Sequence, residues 1–184
     1  MADSNFGKKF ERNFKESALR QELFFLRLND SDLSFGGVKG SRFTPTNPCD
    51  FIGFLEGKLF MLELKSTCYK SIPIQRNPEE EKKMIKAHQI SDLSKYSLYE
   101  GIYTGFVFNF RDDDCIQNED TYYMSIEDFN NFLYSTDKKS INKLDVVEYG
   151  GFKINQILRR TNYAYDVKGM FKEIIKIKID KIDF

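Results

Sequence analysis

Residues 48–67 read PCDFIGFLEGKLFMLELKST. Two apolar runs, Cys49–Leu55 and Lys58–Ser66, flank Glu56-Gly57. This pattern predicts a β-hairpin with a tight turn, although Glu-Gly is a weaker turn signal than Asn-Gly or Asp-Gly. In the second run Phe60, Leu62 and Leu64 share one face, and Met61, Glu63 and Lys65 share the other. With Glu56-Gly57 as the turn, Leu55 faces Lys58. Stepping outward one residue at a time then places Asp50 directly opposite Glu63. Directly opposed residues have Cβ atoms about 4.5–5.5 Å apart, and like charges there destabilise the pair. A divalent cation between the carboxylates would remove that conflict, since hard cations such as Mg2+ take carboxylate oxygens and keep several waters. Lys65 projects from the same face and would reach a phosphate or an attacking water. The chemistry implied is hydrolysis of a phosphodiester, with water activated at the metal and positive charge stabilising the transition state. An exposed strand face also often shows Glu-x-Lys, so the residues alone leave an ordinary surface strand as the alternative.

The flanking sequence predicts what this hairpin packs against. Residues 4–27 read as a helix, with Ser4 as N-cap and an apolar stripe of Phe6, Phe10, Phe14 and Ala18. A break before Phe24 would let Phe24–Leu28 begin a strand. Residues 29–48 crowd Asn, Asp, Ser, Gly and Pro into a long loop, a length suited to a functional segment. Residues 67–78 form a second loop. Residues 79–99 look helical, with Glu79, Glu80 and Glu81 placed to suit the positive end of the helix dipole. Gly101–Phe110 is a strand candidate, residues 111–120 an acidic loop, Thr121–Met124 a short strand and Ser125–Tyr134 a helix. Ile175, Ile177 and Ile179 alternate with Lys176 and Lys178, the pattern of a strand with one wet face. The order of elements predicts an α/β fold, a mixed central sheet flanked by helices.

Composition narrows the class. The chain has 184 residues, enough for one compact domain, and 41% of them are hydrophobic. No apolar run approaches the roughly 18 residues of a spanning helix, and the N-terminus is too polar for a secretory signal. Three widely spaced cysteines, Cys49, Cys68 and Cys115, match neither a disulfide framework nor a CxxC zinc site. A reducing cytoplasm is the expected compartment. Net charge is zero, yet both ends of the chain are basic and the centre is acidic.

The spacing resembles the PD-(D/E)xK nuclease superfamily, and more closely the RecU family of Holliday junction resolvases. The likeness includes Gly7-Lys8-Lys9-Phe10-Glu11, the stretch Pro48–Phe54 with Gly57-Lys58, and Phe60–Thr67. It continues through Ser71–Ile74, His88-Gln89, Leu93, Gly101–Phe110, Tyr122–Met124 and Lys139–Ile141. What the resemblance implies is a restriction-endonuclease-like fold and a single nuclease domain over residues 1–184. Residues 1–155 would be the family core and 156–184 a basic C-terminal extension. It also implies Mg2+ or Mn2+ as cofactor and a homodimer that makes paired nicks in a four-way junction, in DNA recombination and repair. Carried over by position, Asp50 and Glu63 would be metal ligands and Lys65 the catalytic lysine. Glu11 would reach the metal directly or through water, and Gln89 would be a polar neighbour of the site. The chain departs from the family in two places. Pro48-Cys49 precede Asp50 where a hydroxyl residue is common two positions before the acid, and Asp30–Thr46 is short and Gly-rich where the family has a protruding stalk. Other readings are a restriction-like or repair nuclease on linear duplex, and a non-catalytic DNA-binding module.

Other residues suggest weaker roles. Lys8, Lys9 and Arg12 in the first helix, Lys39 and Arg42 in the loop, and Arg159 and Arg160 near the end would contact phosphates, which position DNA without reading its sequence. Glu11 has an ordinary alternative as a helix acid paired with Lys15 one turn on. His88, the only histidine, falls on an apolar-leaning face and reads as core or rim. Asp112, Asp113 and Asp114 read as a solvated loop tip. Cys49 is expected to point away from Asp50.

Overall fold

The computed structural model describes residues 3–28, 47–111 and 119–182. Strands β2 (Phe51–Leu55) and β3 (Lys58–Thr67) form the expected hairpin. Its register runs from Leu55↔Lys58 to Phe51↔Leu62. Glu56 and Gly57 both take positive φ, 51° and 74°. That is the left-handed pair of a type I′ turn, whose twist matches the flanking strands. Glycine adopts it freely, whereas Glu56 costs about 1–2 kcal/mol there.

Strand β3 lies inside a six-stranded sheet ordered β1 (Phe24–Arg27), β2, β3, β5 (Ile102–Arg111), β6 (Glu119–Ser125) and β8 (Phe152–Lys153). Only β3 and β5 run parallel, from Leu59↔Ile102 to Thr67↔Phe110. Their crossover contains β4 (Ser71–Pro73) and helix α2 (Ala87–Tyr96). Helices on both faces explain why β3 reads as a nearly unbroken apolar run. Phe60, Leu62 and Leu64 pack on one face with Phe10, Phe14 and Ala18 of α1 (Asp3–Arg20). Met61 packs on the other with Leu93 of α2 and with Phe129 and Phe132 of α3 (Ile126–Ser135). This is the α/β fold expected from the order of elements, a mixed central sheet flanked by helices.

Local differences from the sequence reading have physical causes. Ser4 is not the N-cap of α1, which already includes Asp3. The helix ends at Arg20, the chain turns through Glu22 at a φ of 59°, and β1 follows. Residues 79–86 are not helical, so Glu79, Glu80 and Glu81 do not sit at a helix N-terminus. The Gln75 amide donates to Glu80 O at 2.7 Å and to Pro78 O at 3.3 Å, while Ile85 forms a bridge with Ile74. Such side-chain bonds offer the backbone an alternative to the helix.

The tail is a helix, α5 (Val167–Ile182), and not the expected strand. Its buried residues Val167, Met170, Phe171 and Ile174 follow helical spacing, which overrides three alternating isoleucines. Phe171 stacks on Phe60 with ring centroids 3.8 Å apart. Gly53 makes that approach possible, since a Cβ there would lie 2.5 Å from Phe171 Cζ. The flanking motif had also left several small elements unannounced. Strand β7 (Ser140–Asn142) pairs with β4, and α4 (Lys143–Glu148) follows it, capped by Asn142. Strands β9 (Gln156–Arg159) and β10 (Asn162–Tyr165) form a hairpin against α1, where Tyr165 meets Phe10 edge-on at 5.5 Å. Among the described residues, no helix is long and apolar enough to cross a membrane.

Candidate active site

Asp50 stands one residue before β2, held from two sides. Leu28 N donates to Asp50 O at 2.9 Å, extending the β1–β2 ladder by one bond. Leu64 N donates to Asp50 Oδ2 at 3.0 Å. The β2–β3 ladder itself stops at Phe51↔Leu62, and the Asp50 carboxylate takes up the β3 amide beyond it. The opposition of Asp50 and Glu63 expected from the register is therefore met at the end of the ladder, where the two carboxyl groups lie within hydrogen-bonding reach.

Glu63 is 1% exposed. Its Oε1 accepts from Lys65 Nζ at 2.6 Å and also from the side-chain amide of Gln89. Gln89 sits in the first turn of α2, and its Oε1 accepts from Lys86 N at 3.0 Å. One side chain thus caps the helix and fixes the acid. Burial raises the pKa of Glu63, Lys65 opposes the rise and Asp50 adds to it, leaving the carboxyl at about 7. Cys49 lies on the same side as these acids, packed with Met61, and does not point away from them. The bend at residue 50 breaks the strand alternation on which the opposite expectation rested. Burial, followed by the charges of Glu63 and Asp50, pushes its thiol up to about 12.

The remaining residues are placed as follows. Glu11 on α1 pairs with Arg27 at 2.8 Å, and Lys15 is not its partner. Burial raises its pKa, Arg27 lowers it, and the charges of Asp50 and Lys65 also reach it. Glu11 therefore flanks the cluster but is turned toward β1. His88 is exposed at the rim and not in the core, within reach of the Lys65 charge, while Gln89 beside it points inward. Lys8 and Arg12 are exposed on α1, while Lys9 Nζ donates to Thr161 O at 3.0 Å. Arg159 and Arg160 are exposed at the tip of the β9–β10 hairpin, Arg160 with a φ of 55°. The helix and hairpin cations are thereby brought side by side. Lys39, Arg42 and Asp112 to Asp114 lie outside the described residues.

Two features went unread in the sequence. Arg27 is a lone cation at a strand end. Behind Lys65, Ser66 Oγ donates to Asn109 Oδ1 at 2.7 Å, Arg111 Nε donates to Ser66 Oγ at 3.1 Å, and Asn109 Nδ2 donates to Thr121 Oγ1 at 3.0 Å. Asn109 was visible as a polar residue inside an apolar strand, which is the signal that would have found this network.

The cluster suits a hard divalent cation. Glu63 is buried and Asp50 partly exposed beside it, and burial holds the Glu63 carboxyl well above the usual range even with Lys65 at 2.6 Å. Mg2+ is commonly held by one or two carboxylates with waters and substrate phosphates completing its shell. Among the described residues, no three His, Cys, Asp or Glu side chains converge, so the protein's share would be the pair Asp50 and Glu63.

Three comparisons show what this chain is similar to. The solved structure of Hjc, a Holliday junction resolvase from the archaeal hyperthermophile Archaeoglobus fulgidus, superposes with a TM-score of 0.48 at 14% identity, covering 80% of this chain and 95% of that one. YotM, an SPbeta prophage-derived uncharacterized protein of Bacillus subtilis (strain 168), is 33% identical over 187 residues, 96% of this chain and 90% of that protein. The profile described as RecU, Recombination protein U, matches residues 25–168, which include the whole β2–β3 hairpin with Asp50, Glu63, Lys65 and Gln89. The chain belongs to the RecU family.

Proposed function

We propose that the chain is a metal-dependent endonuclease that resolves four-way DNA junctions by paired hydrolysis of phosphodiesters in opposing strands, acting as a cytoplasmic homodimer. The observation that carries this reading is the contact of buried Glu63 with Asp50, Lys65 and Gln89 at the end of one hairpin. Asp50 and Glu63 would hold Mg2+ or Mn2+. When bound, such a cation supplies an acidified water and neutralises charge at the phosphate. Lys65 is positioned to donate to a phosphate oxygen or to orient the water, and its charge favours the ionised form of Glu63. Gln89 fixes the Glu63 rotamer and so the direction of its carboxylate. Glu11 would join through water once a DNA phosphate competes for Arg27. The exposed cations of α1 and the β9–β10 hairpin would grip the backbone without reading bases. Two cuts call for two such sites, which is why a homodimer is proposed.

The test is cleavage of an end-labelled four-way junction beside a linear duplex of the same arms, with Mg2+. The expected result is nicks in opposing strands of the junction, with 5′-phosphate and 3′-hydroxyl ends, and little cutting of the duplex. Asp50→Asn and Lys65→Ala should each lower the rate by at least about a hundredfold, as losing one stabilising group typically does. Equal cutting of both substrates would favour the linear-duplex reading. Tight junction binding with no product, even with Mn2+, would favour a non-catalytic module.

A further inference from the structure

Past the carboxylate cluster, the end of the central sheet opens into a cavity of about 590 Å3 lined by Cys68, Tyr69, Lys70, Phe110, Lys143 and Leu144, with Arg111 and Asn142. We infer that this cavity receives an unpaired nucleotide of the DNA strand engaged at Asp50, Glu63 and Lys65. The identity of the strand as DNA rests on the function proposed above. The cavity itself rests on separate observations.

The lining combines surfaces for a base with charges for a phosphate. Tyr69 is 65% exposed and has no ring contact among the described residues, and Leu144 is 74% exposed. Tyr69 N donates to Thr67 Oγ1 at 3.0 Å, which bends the chain out of the ladder and projects the ring. Phe110, buried, contributes apolar lining. An aromatic face beside cations is the general solution for holding unpaired nucleotides, because every base has a π-face and every nucleotide a phosphate. Lys70 is exposed and has no ion pair among the described residues. Lys143 reaches Asp120 at 3.2 Å with its side chain 50% exposed, so it remains open to a phosphate. The volume falls within the roughly 300–1,000 Å3 of small-ligand sites.

Placement ties the cavity to the chemistry. Cys68 follows Lys65 by three residues, no more than about 10 Å of extended chain. A strand whose phosphate meets Lys65 would reach Tyr69 within a few nucleotides. The pairs flanking the crossover of a four-way junction lack one continuous duplex on both sides, so extruding a nucleotide there costs less than within a linear duplex.

The experiment titrates the full-length chain with a short oligothymidylate carrying one 2-aminopurine, and in a parallel arm with thymidine monophosphate. Stacking on Tyr69 should quench the 2-aminopurine. Tyr69→Ala should abolish the quench and weaken oligonucleotide binding about tenfold, while Tyr69→Phe should preserve both. Lys70→Ala with Lys143→Ala should weaken binding and make it less salt-dependent. An exposed Tyr69 predicts unchanged melting of its variants, which separates a lost contact from a lost fold. Binding that ignores Tyr69 would overturn the inference even if junctions are cut. Equal affinity for the monophosphate would also overturn it, leaving a free-nucleotide site. Because the titration needs no cleavage, its failure is distinguishable from a failure of the nuclease reading.

Discussion

Gln89 makes contacts at both ends of its amide: the carbonyl oxygen accepts from the start of α2 and the nitrogen donates to Glu63. Gln89→Ala should therefore leave the fold intact and raise the Mg2+ concentration needed for half-maximal cleavage by about 10–100-fold, the usual cost of removing a partner behind a metal ligand. A metal titration of junction cutting checks this, and an unchanged midpoint would remove Gln89 from the site. A second acid, outside the carboxylate cluster, offers a pH test. Glu119 accepts from the Tyr165 hydroxyl, and burial raises its pKa above the usual carboxylate value, with Tyr165 opposing the rise. A carboxyl with a raised folded pKa binds its proton more tightly in the folded chain. Its contribution to stability is complete below the unfolded pKa and is lost as pH rises through the folded one. Glu119→Gln stays neutral and still accepts from Tyr165. Its melting temperature relative to the unsubstituted chain should rise as pH increases from the ordinary glutamate range through the raised folded value. A difference that stays flat across that range would show that Glu119 is not titrating as described.

Among the elements, α5 shows what the stacked pair contributes. Phe171→Ala removes a ring pressed on Phe60 and should destabilise the chain by about 3–5 kcal/mol in urea unfolding. Gly53→Ala should cost about 1–3 kcal/mol, by overpacking the same contact from the other side. The same elements show how far the sequence could be read. The β2–β3 hairpin was legible because a two-residue turn fixes register, and register fixes which side chains share a face. Asp50, Glu63 and Lys65 follow from it by counting. Gln89 came only from family resemblance, because it reaches Glu63 across 26 residues of sequence. The tail was misread because three alternating isoleucines were weighed without the earlier Val167, Met170, Phe171 and Ile174, whose spacing is helical. Residues 79–86 were misread because acidic and basic residues suit a helix locally, while the tie from Gln75 to Glu80 is made by a side chain upstream of the run.

For the whole molecule, zero net charge conceals an asymmetric surface. The bond from Lys9 to Thr161 draws the basic N-terminal helix against the hairpin that carries Arg159 and Arg160. Replacing both arginines with alanine should weaken junction binding similarly for all sequences and reduce the slope of log affinity against log salt by up to about 2. The cleavage rate at saturating DNA should stay the same, since neither residue lies in the carboxylate cluster. Fluorescence anisotropy across a salt series measures the slope, and an unchanged slope would show that the hairpin does not touch phosphate. Strand β3, paired with β2 on one side and β5 on the other, has a further consequence. From Lys58 to Leu62 its amide hydrogens exchange with solvent only when one of two flanking ladders parts, whereas Glu63 and Lys65, past the last β2–β3 rung, are laddered to β5 alone. Asp50 closes the open side there, its carboxylate taking the Leu64 amide and its carbonyl the Leu28 amide. The proposed cation site thus sits where the sheet passes from two-sided to one-sided pairing, and the exchange rate of the Leu64 amide would report how often the Asp50 side lets go.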